Sequence, residues 1–226
     1  MTDSIAERLA EIRAQIPDSV RLVAVTKTVS AEAIRIAYAA GVRDFGENRI
    51  PEAIEKQQQL SDLSDITWHL IGHVQSNKAI KAVQHFQWIH SVDSLKLAQR
   101  LDRLAQESDC QPQVCLQVKI LSDPNKYGWT VSELLEDLAE LDQCRHIQIK
   151  GLMTIPPLGL NESETISVFE QTRQLADKIQ QQGWSHLQMQ ELSMGMSGDY
   201  PLAVQAGATM IRPGQIIFGA RTTQTR

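Results

Sequence analysis

The sequence predicts an α/β protein folded as a single (β/α)₈ barrel, and three observations carry that prediction. About eight short apolar or β-branched runs alternate with segments of helical periodicity. No linker, low-complexity tract or short-period repeat interrupts the alternation, and 226 residues suit one undivided domain over residues 1–226. Several runs are apolar throughout, as strands covered by helices on both faces must be. An open doubly wound sheet would show the same alternation and stands as the structural alternative.

Residues 4–16 place Ile5, Leu9, Ile12 and Ile16 at helical spacing, with Asp3 or Ser4 as N-cap and Pro17 beyond the end. This is an extra N-terminal helix that packs its apolar stripe on the outside of the main fold. Arg21-Leu22-Val23-Ala24-Val25-Thr26-Lys27 follows as a buried strand delivering Lys27 to its carboxyl end. Ser30 caps a helix that stops at Gly41, and a short strand over residues 42–45 ends in Gly46-Glu47-Asn48. Pro51 suits the first turn of the next helix, which leads to a third strand over residues 67–71 closed by Gly72-His73.

Ser76 opens a helix carrying Ile80 and Val83, Trp88-Ile89-His90-Ser91-Val92 is the fourth strand, and Asp93 or Ser94 caps a helix through Leu97, Leu101 and Leu104. The fifth strand spans residues 113–120, followed by a Ser-Asp-Pro-Asn turn and a helix from near Ser132. The sixth spans 147–153 and leads through a Pro-Pro-Leu-Gly loop to a helix with Phe169, Leu175 and Ile179 that ends at Gly183. Residues 190–193 and 209–212 are the seventh and eighth strands.

Net charge is −5 with a pI near 5.7 and no long basic run, which disfavours nucleic acid or an anionic membrane as partner. Cys110, Cys115 and Cys144 show no paired spacing, against a disulfide framework or structural zinc, and the start of the chain lacks a secretory pattern. The expectation is a cytoplasmic protein with reduced thiols.

Chemistry in such a barrel gathers beyond the carboxyl ends of the strands. A lysine there can form a Schiff base with a carbonyl, or simply begin a loop. Ser193-Met194-Gly195-Met196-Ser197-Gly198 and Gly214-Gln215 follow strands seven and eight, where barrels often hold phosphate; tight turns alone also use such glycines. Arg212 ends an apolar strand and needs a carboxylate, phosphate or ring acceptor, or a plain ion pair. Glu47 and Asn48 offer a carboxylate and an amide at the same rim, or Glu47 caps a helix or pairs with a lysine. His69 reads as a core histidine and His73, at a strand end, as the better pocket residue. No metal-ligand spacing joins them, and Lys78 and Lys81 read as a solvated face.

Val23-Ala24-Val25-Thr26-Lys27, Phe45-Gly46-Glu47-Asn48, Trp68-His69-Leu70-Ile71-Gly72-His73-Val74-Gln75-Ser76-Asn77-Lys78, Gly151-Leu152-Met153, Leu192-Ser193-Met194-Gly195-Met196-Ser197 and Ile217-Phe218-Gly219-Ala220-Arg221 together resemble the pyridoxal phosphate homeostasis family, also called the YggS or proline synthase co-transcribed family. The matches run in family order over nearly the whole chain. The resemblance implies the alanine-racemase-like barrel of fold type III, with pyridoxal 5′-phosphate (PLP) joined to Lys27 through a Schiff base. It implies Arg212 at the pyridine nitrogen and phosphate held by the Ser193–Ser197 loop and Gly214-Gln215. The implied cofactor-binding set is Lys27, Asn48, His73, Met153, Ser193, Gly195, Ser197, Arg212, Gly214 and Gln215.

Three departures stand out. Pro213 follows Arg212 where the family often has Ile, Lys119 and Asp123 replace the Asn and Glu of a motif whose Lys126 and Gly128 remain, and Arg49-Ile50-Pro51 differs from the commoner Tyr-Val-Gln. An arginine at the pyridine nitrogen leaves the ring a weak electron sink. The related racemases use a tyrosine from a second domain, and Tyr38, Tyr127 and Tyr200 offer no obvious replacement. The resulting expectation is a non-catalytic, monomeric PLP carrier that buffers or delivers the cofactor to PLP-dependent apoenzymes and so affects amino-acid and keto-acid balance. A weak amino-acid racemase or decarboxylase and a cofactor-free Schiff-base aldolase are the alternatives.

Overall fold

The computed structural model describes residues 4–123 and 125–219. Its strands are β1 (Arg21–Leu22), β2 (Ala24–Val25), β3 (Asp44–Glu47), β4 (Thr67–Leu70), β5 (Trp88–Val92), β6 (Gln113–Lys119), β7 (Trp129–Thr130), β8 (Gln148–Met153), β9 (Leu187–Ser193) and β10 (Met210–Ile211). Every neighbouring pair is parallel, in the order β1-β10-β9-β8-β6-β5-β4-β3-β2. β1 and β2 form one continuous stretch interrupted at Val23. The Val23 and Val25 amides donate to the Ile211 and Pro213 carbonyls at 2.9 and 2.8 Å, while β2 pairs with β3 on its other edge. Residues 21–25 therefore bond on both sides and close the barrel, which rules out the open sheet. β7 pairs only with the end of β6 and lies off the barrel; the sequence reading had no strand there.

The helices are α1 (Ile5–Gln15), α2 (Ala31–Ala39), α3 (Ile50–Gln59), α4 (Ala79–His85), α5 (Leu95–Glu107), α6 (Val131–Leu141), α7 (Glu162–Gln180), α8 (Tyr200–Gln205) and α9 (Gln215–Phe218). Ser4, not Asp3, forms a capping box with Glu7 and starts α1; Asp3 lies outside the described residues, as do Ala220 and Arg221. The α1 helix packs on α2 and α9, outside the barrel, with Arg8 Nε donating to the Ile217 carbonyl at 2.6 Å. Ser30, Ser94 and Thr130 cap α2, α5 and α6 through hydroxyls that accept amide protons. None of the described helices is long and apolar enough to cross a membrane.

Two strands are displaced or extended by two or more residues relative to the sequence expectation. β3 sits two residues later, so Gly46 and Glu47 are in the strand and not beyond it, because Gly46 and Glu47 pair with His69 and Leu70 of β4. β9 begins at Leu187, three residues early, extended by pairing with Ile149.

Period-two alternation sorts the strand side chains into two cores. Val114, Leu116 and Val118 of β6, Leu192 of β9 and Ile211 of β10 face the helices and join the main apolar core. Their neighbours Cys115, Met153 and Met210, with Trp88, form a separate small cluster inside the barrel. The outer core is the larger stabiliser. Phe169→Ala, which empties a fully buried position between α7 and the sheet, is expected to lower stability by about 3–5 kcal/mol in urea unfolding.

Candidate functional site

Because all strands run parallel, the residues that follow β2, β3, β4, β9 and β10 share one mouth of the barrel. Lys27 lies there, half-buried, one residue before Thr28, whose φ of 63° is strained for a β-branched side chain. Both neighbours of Lys27 are tied down by a buried ion network. Lys56 of α3 donates to the Thr26 carbonyl, Glu47 Oε1 and Glu52 Oε1, each at 2.7 Å. Thr26 Oγ1 donates to Glu47 at 2.6 Å, and the Thr28 amide donates to Glu52 at 2.7 Å. Burial pushes the Glu47 carboxyl above its usual range against the hydrogen bonds from Lys56 and Thr26. Glu47 thus pairs with a lysine, one of the two roles open to it from sequence.

Arg212 is 3% exposed. Its Nη1 donates to Ser193 Oγ at 2.5 Å and its Nη2 to the Thr154 carbonyl at 3.0 Å. Among the described residues no carboxylate forms an ion pair with it. Burial lowers its pKa to about 10, so it remains a cation at neutral pH. Ser193 lies fully buried inside the barrel, its hydroxyl engaged by Arg212 and His90 and not turned to the loop that follows. Met153 pairs in register with Ser193 and belongs to the small interior cluster.

The loop after β9 folds over the start of α9. Ser197 Oγ accepts the Gly214 and Ile216 amides at 3.1 and 3.3 Å, gathering donors from the turn after β10. Gly195, at φ 92°, packs so tightly that a Cβ would lie 2.6 Å from Ala203 Cβ; a Cβ on Gly214 would meet the Val25 carbonyl at 3.1 Å. Gln215 is exposed at this rim. Pro213 offers no amide, but its carbonyl accepts from Val25 and so serves barrel closure. Asn48 Oδ1 is buried with no hydrogen-bond partner among the described residues.

His73 lies farther out on the rim, its Nδ1 2.8 Å from Asp93 and its ring stacked on Tyr127 with centroids 3.7 Å apart. Lys126 bridges two mouth loops, donating to the carbonyls of Ile155, at 3.2 Å, and Pro156, with Asp123 at 3.9 Å. Burial lowers its pKa against Asp123 and Asp199. Among the described residues no group of three or more His, Cys, Asp or Glu could hold a metal ion.

Sequence reading missed Lys56, His90 and Thr154. Lys56 carried one signal, its i,i+4 spacing from Glu52; His90 carried another, sharing the inward parity of Trp88 in β5. Thr154 acts through a backbone carbonyl, which no side-chain pattern marks.

The family model for the alanine racemase N-terminal domain matches residues 1–222. A pyridoxal phosphate homeostasis protein of Synechocystis sp. is 54% identical over 212 residues, covering 94% of this chain and 96% of the relative. The chain belongs to the pyridoxal phosphate homeostasis family. The family member of Escherichia coli is 36% identical over 231 residues, covering 97% of both chains. PipY of Synechococcus elongatus, solved with PLP bound, is 57% identical with a TM-score of 0.92, covering 96% of this chain and 100% of PipY. Alanine racemase of Clostridium difficile, at 16% identity and a TM-score of 0.77, shares the fold over 99% of this chain and 58% of its own.

Lys56→Met leaves the Glu47 carboxylate buried and unpaired and is expected to cost about 3–5 kcal/mol. It also raises the Glu47 pKa further above its unfolded value. The folded variant then binds more protons than the unfolded chain, so its stability is greatest below the ordinary carboxylate pKa and falls as pH rises toward neutrality, more steeply than in the wild type. Urea midpoints measured across that pH range check this.

Proposed function

We propose that this chain binds pyridoxal 5′-phosphate and serves to buffer or deliver it, without catalytic turnover. The observation that carries the reading is Arg212: a desolvated guanidinium at the Lys27 mouth, with two neutral acceptors and no carboxylate among the described residues. Such a cation suits an uncharged ring nitrogen. The rest of the polar lining fits the same ligand. Ser197 and the Gly214 and Ile216 amides are grouped where a phosphate would be received, Gly195 and Gly214 keep the backbone close, and Asn48 offers a buried, unsatisfied amide oxygen as an acceptor.

When bound, PLP supplies an aldehyde that condenses with an amine and a ring that withdraws electrons from the carbon attached there. Lys27 supplies that amine, and its position is fixed by Thr26, Thr28 and the Lys56 network. Arg212 would donate to the ring nitrogen and so discourage its protonation. Met153, Gln215 and His73 complete the proposed set, as wall, phosphate rim and outer rim.

The assignment without turnover rests on the tyrosines. Tyr200 Oη donates to Gln15 at 2.6 Å and Tyr38 Oη to Asp65 at 2.5 Å, both outside the barrel, while Tyr127 is 58% exposed against His73. Homeostasis is also the role in the names of the relatives above. We place the whole chain as one PLP-binding domain acting as a cytoplasmic monomer, with transient contact to recipient apoenzymes; its three cysteines are free thiols, which suits a reducing compartment.

Purified protein mixed with PLP is expected to show a visible band that Lys27→Ala abolishes, and borohydride reduction followed by peptide mapping is expected to place the label on Lys27. Label elsewhere, or none, overturns the reading. Exchange of the α-hydrogen of amino acids into deuterated water at enzyme-like rates would overturn the assignment without turnover.

A further inference from the structure

A single file of hydrogen bonds crosses the barrel interior from Arg212 at one mouth to Asp44 at the other. Arg212 Nη1 lies 2.5 Å from Ser193 Oγ, Ser193 Oγ 2.6 Å from His90 Nδ1, His90 Nε2 2.9 Å from His69 Nδ1, and His69 Nε2 2.9 Å from Asp44 Oδ1. Both histidines and Ser193 are fully buried, and Trp88 stacks on His69 at 5.9 Å between centroids. The charged groups facing the file are Asp44, Arg21 and Glu191 at the lower mouth and Arg212 at the upper. An all-apolar filling would stabilise a barrel interior at least as well, so the polar file calls for an explanation beyond packing.

Counting protons leaves one arrangement. A carboxylate only accepts, so His69 donates from Nε2 to Asp44. Burial holds both rings below the ordinary histidine range, His69 against the pull of Asp44, and nearby Arg212 and Arg21 depress His90 further; each ring is neutral with one N–H. His69 Nδ1 then accepts from His90 Nε2, His90 Nδ1 accepts the Ser193 hydroxyl proton, and Ser193 turns only lone pairs to Arg212. Every donated proton points toward Asp44. A reversed file would place two N–H donors on Ser193 Oγ and force its own proton elsewhere.

We propose that His69 and His90 are positioning residues for Arg212, holding its guanidinium through Ser193 while Asp44, at the opposite mouth, fixes their tautomers. The inference rests on the PLP reading above, since positioning Arg212 matters to the ring it faces. It makes Asp44, on the far side of the barrel, a determinant of how firmly the cofactor is held.

Two measurements test it. In cofactor-free wild type, long-range ¹H–¹⁵N NMR is expected to show both rings neutral and protonated at Nε2, unchanged from about pH 7 to about pH 8. A ring protonated at Nδ1, or titrating in that range, overturns the file. In PLP titrations, Asp44→Asn, an isosteric change at a side chain 23% exposed, is expected to weaken binding about tenfold and shift the visible band. His69→Leu is expected to do the same. In an Arg212→Gln background, Asp44→Asn is expected to add less than about twofold, because its effect passes through Arg212. A wild-type band that Asp44→Asn leaves unchanged in position and affinity, or an effect that persists fully without Arg212, overturns this inference alone. A wild type with no PLP band overturns the reading above and this inference with it.

Discussion

Barrel closure by residues 21–25 is the constraint on which the mouth depends. This stretch hydrogen-bonds on both edges, the Val23 and Val25 amides donating to the β10 side and the Thr26 amide donating to Gly46 where Ala24 and Val25 pair with β3. Because its partners are parallel, closure brings Lys27 beside the residues that leave β10, which are Arg212, Pro213 and Gly214. Residues far apart in sequence thereby become neighbours at one rim. Pro213 shows how strict the arrangement is: it gives up a loop amide while its carbonyl completes the closing ladder.

The same closure creates two interiors with different chemistry. Outside the strands, apolar side chains pack under the helices and carry most of the hydrophobic stabilisation. Inside, Trp88, Cys115, Met153 and Met210 surround buried polar groups that are satisfied almost wholly by one another. Lys56 occupies a third position, beneath the Lys27 turn, where it shares its single charge between Glu47 and Glu52 and, with Glu52 accepting the Thr28 amide, holds the backbone on either side of Lys27. Glu47 and Lys56 are costly to bury singly and tolerable together, so the pair ties the geometry of the mouth to the integrity of α3.

Much of this was readable along the chain. The alternation of elements, the cap at Ser30, the caps at Ser4 and Ser94 each as one of two neighbouring candidates, and the placement of Lys27, Asn48, Ser197, Arg212 and Gly214 at or just beyond strand ends follow from local propensity and from the rule that parallel strands point one way. The short β7 was not readable, because two residues pair only with the tail of β6 and leave no period to detect. The end of β3 was misread because Gly46, a poor strand former, is held in the ladder by its neighbours. Ser193 was grouped with the glycine-rich loop, yet its inward parity at the end of β9 turns its hydroxyl to Arg212.

The sequence by itself determined the alternation of strands and helices, the order of the elements and the rim on which Lys27 and Arg212 lie, because hydrophobic periodicity and chain direction are local properties; closure into a barrel, against the open sheet, came from the pairing of residues 21–25 on both edges. Only the tertiary structure decided which polar side chains meet. Arg212, Ser193, His90, His69 and Asp44 come from four separate strands and the turn after a fifth, β10, and hydrogen bonds form between atoms within about 3 Å whatever their distance along the chain. Their contact depends on strand register and on which face of each strand turns inward, and both are fixed only when the barrel closes.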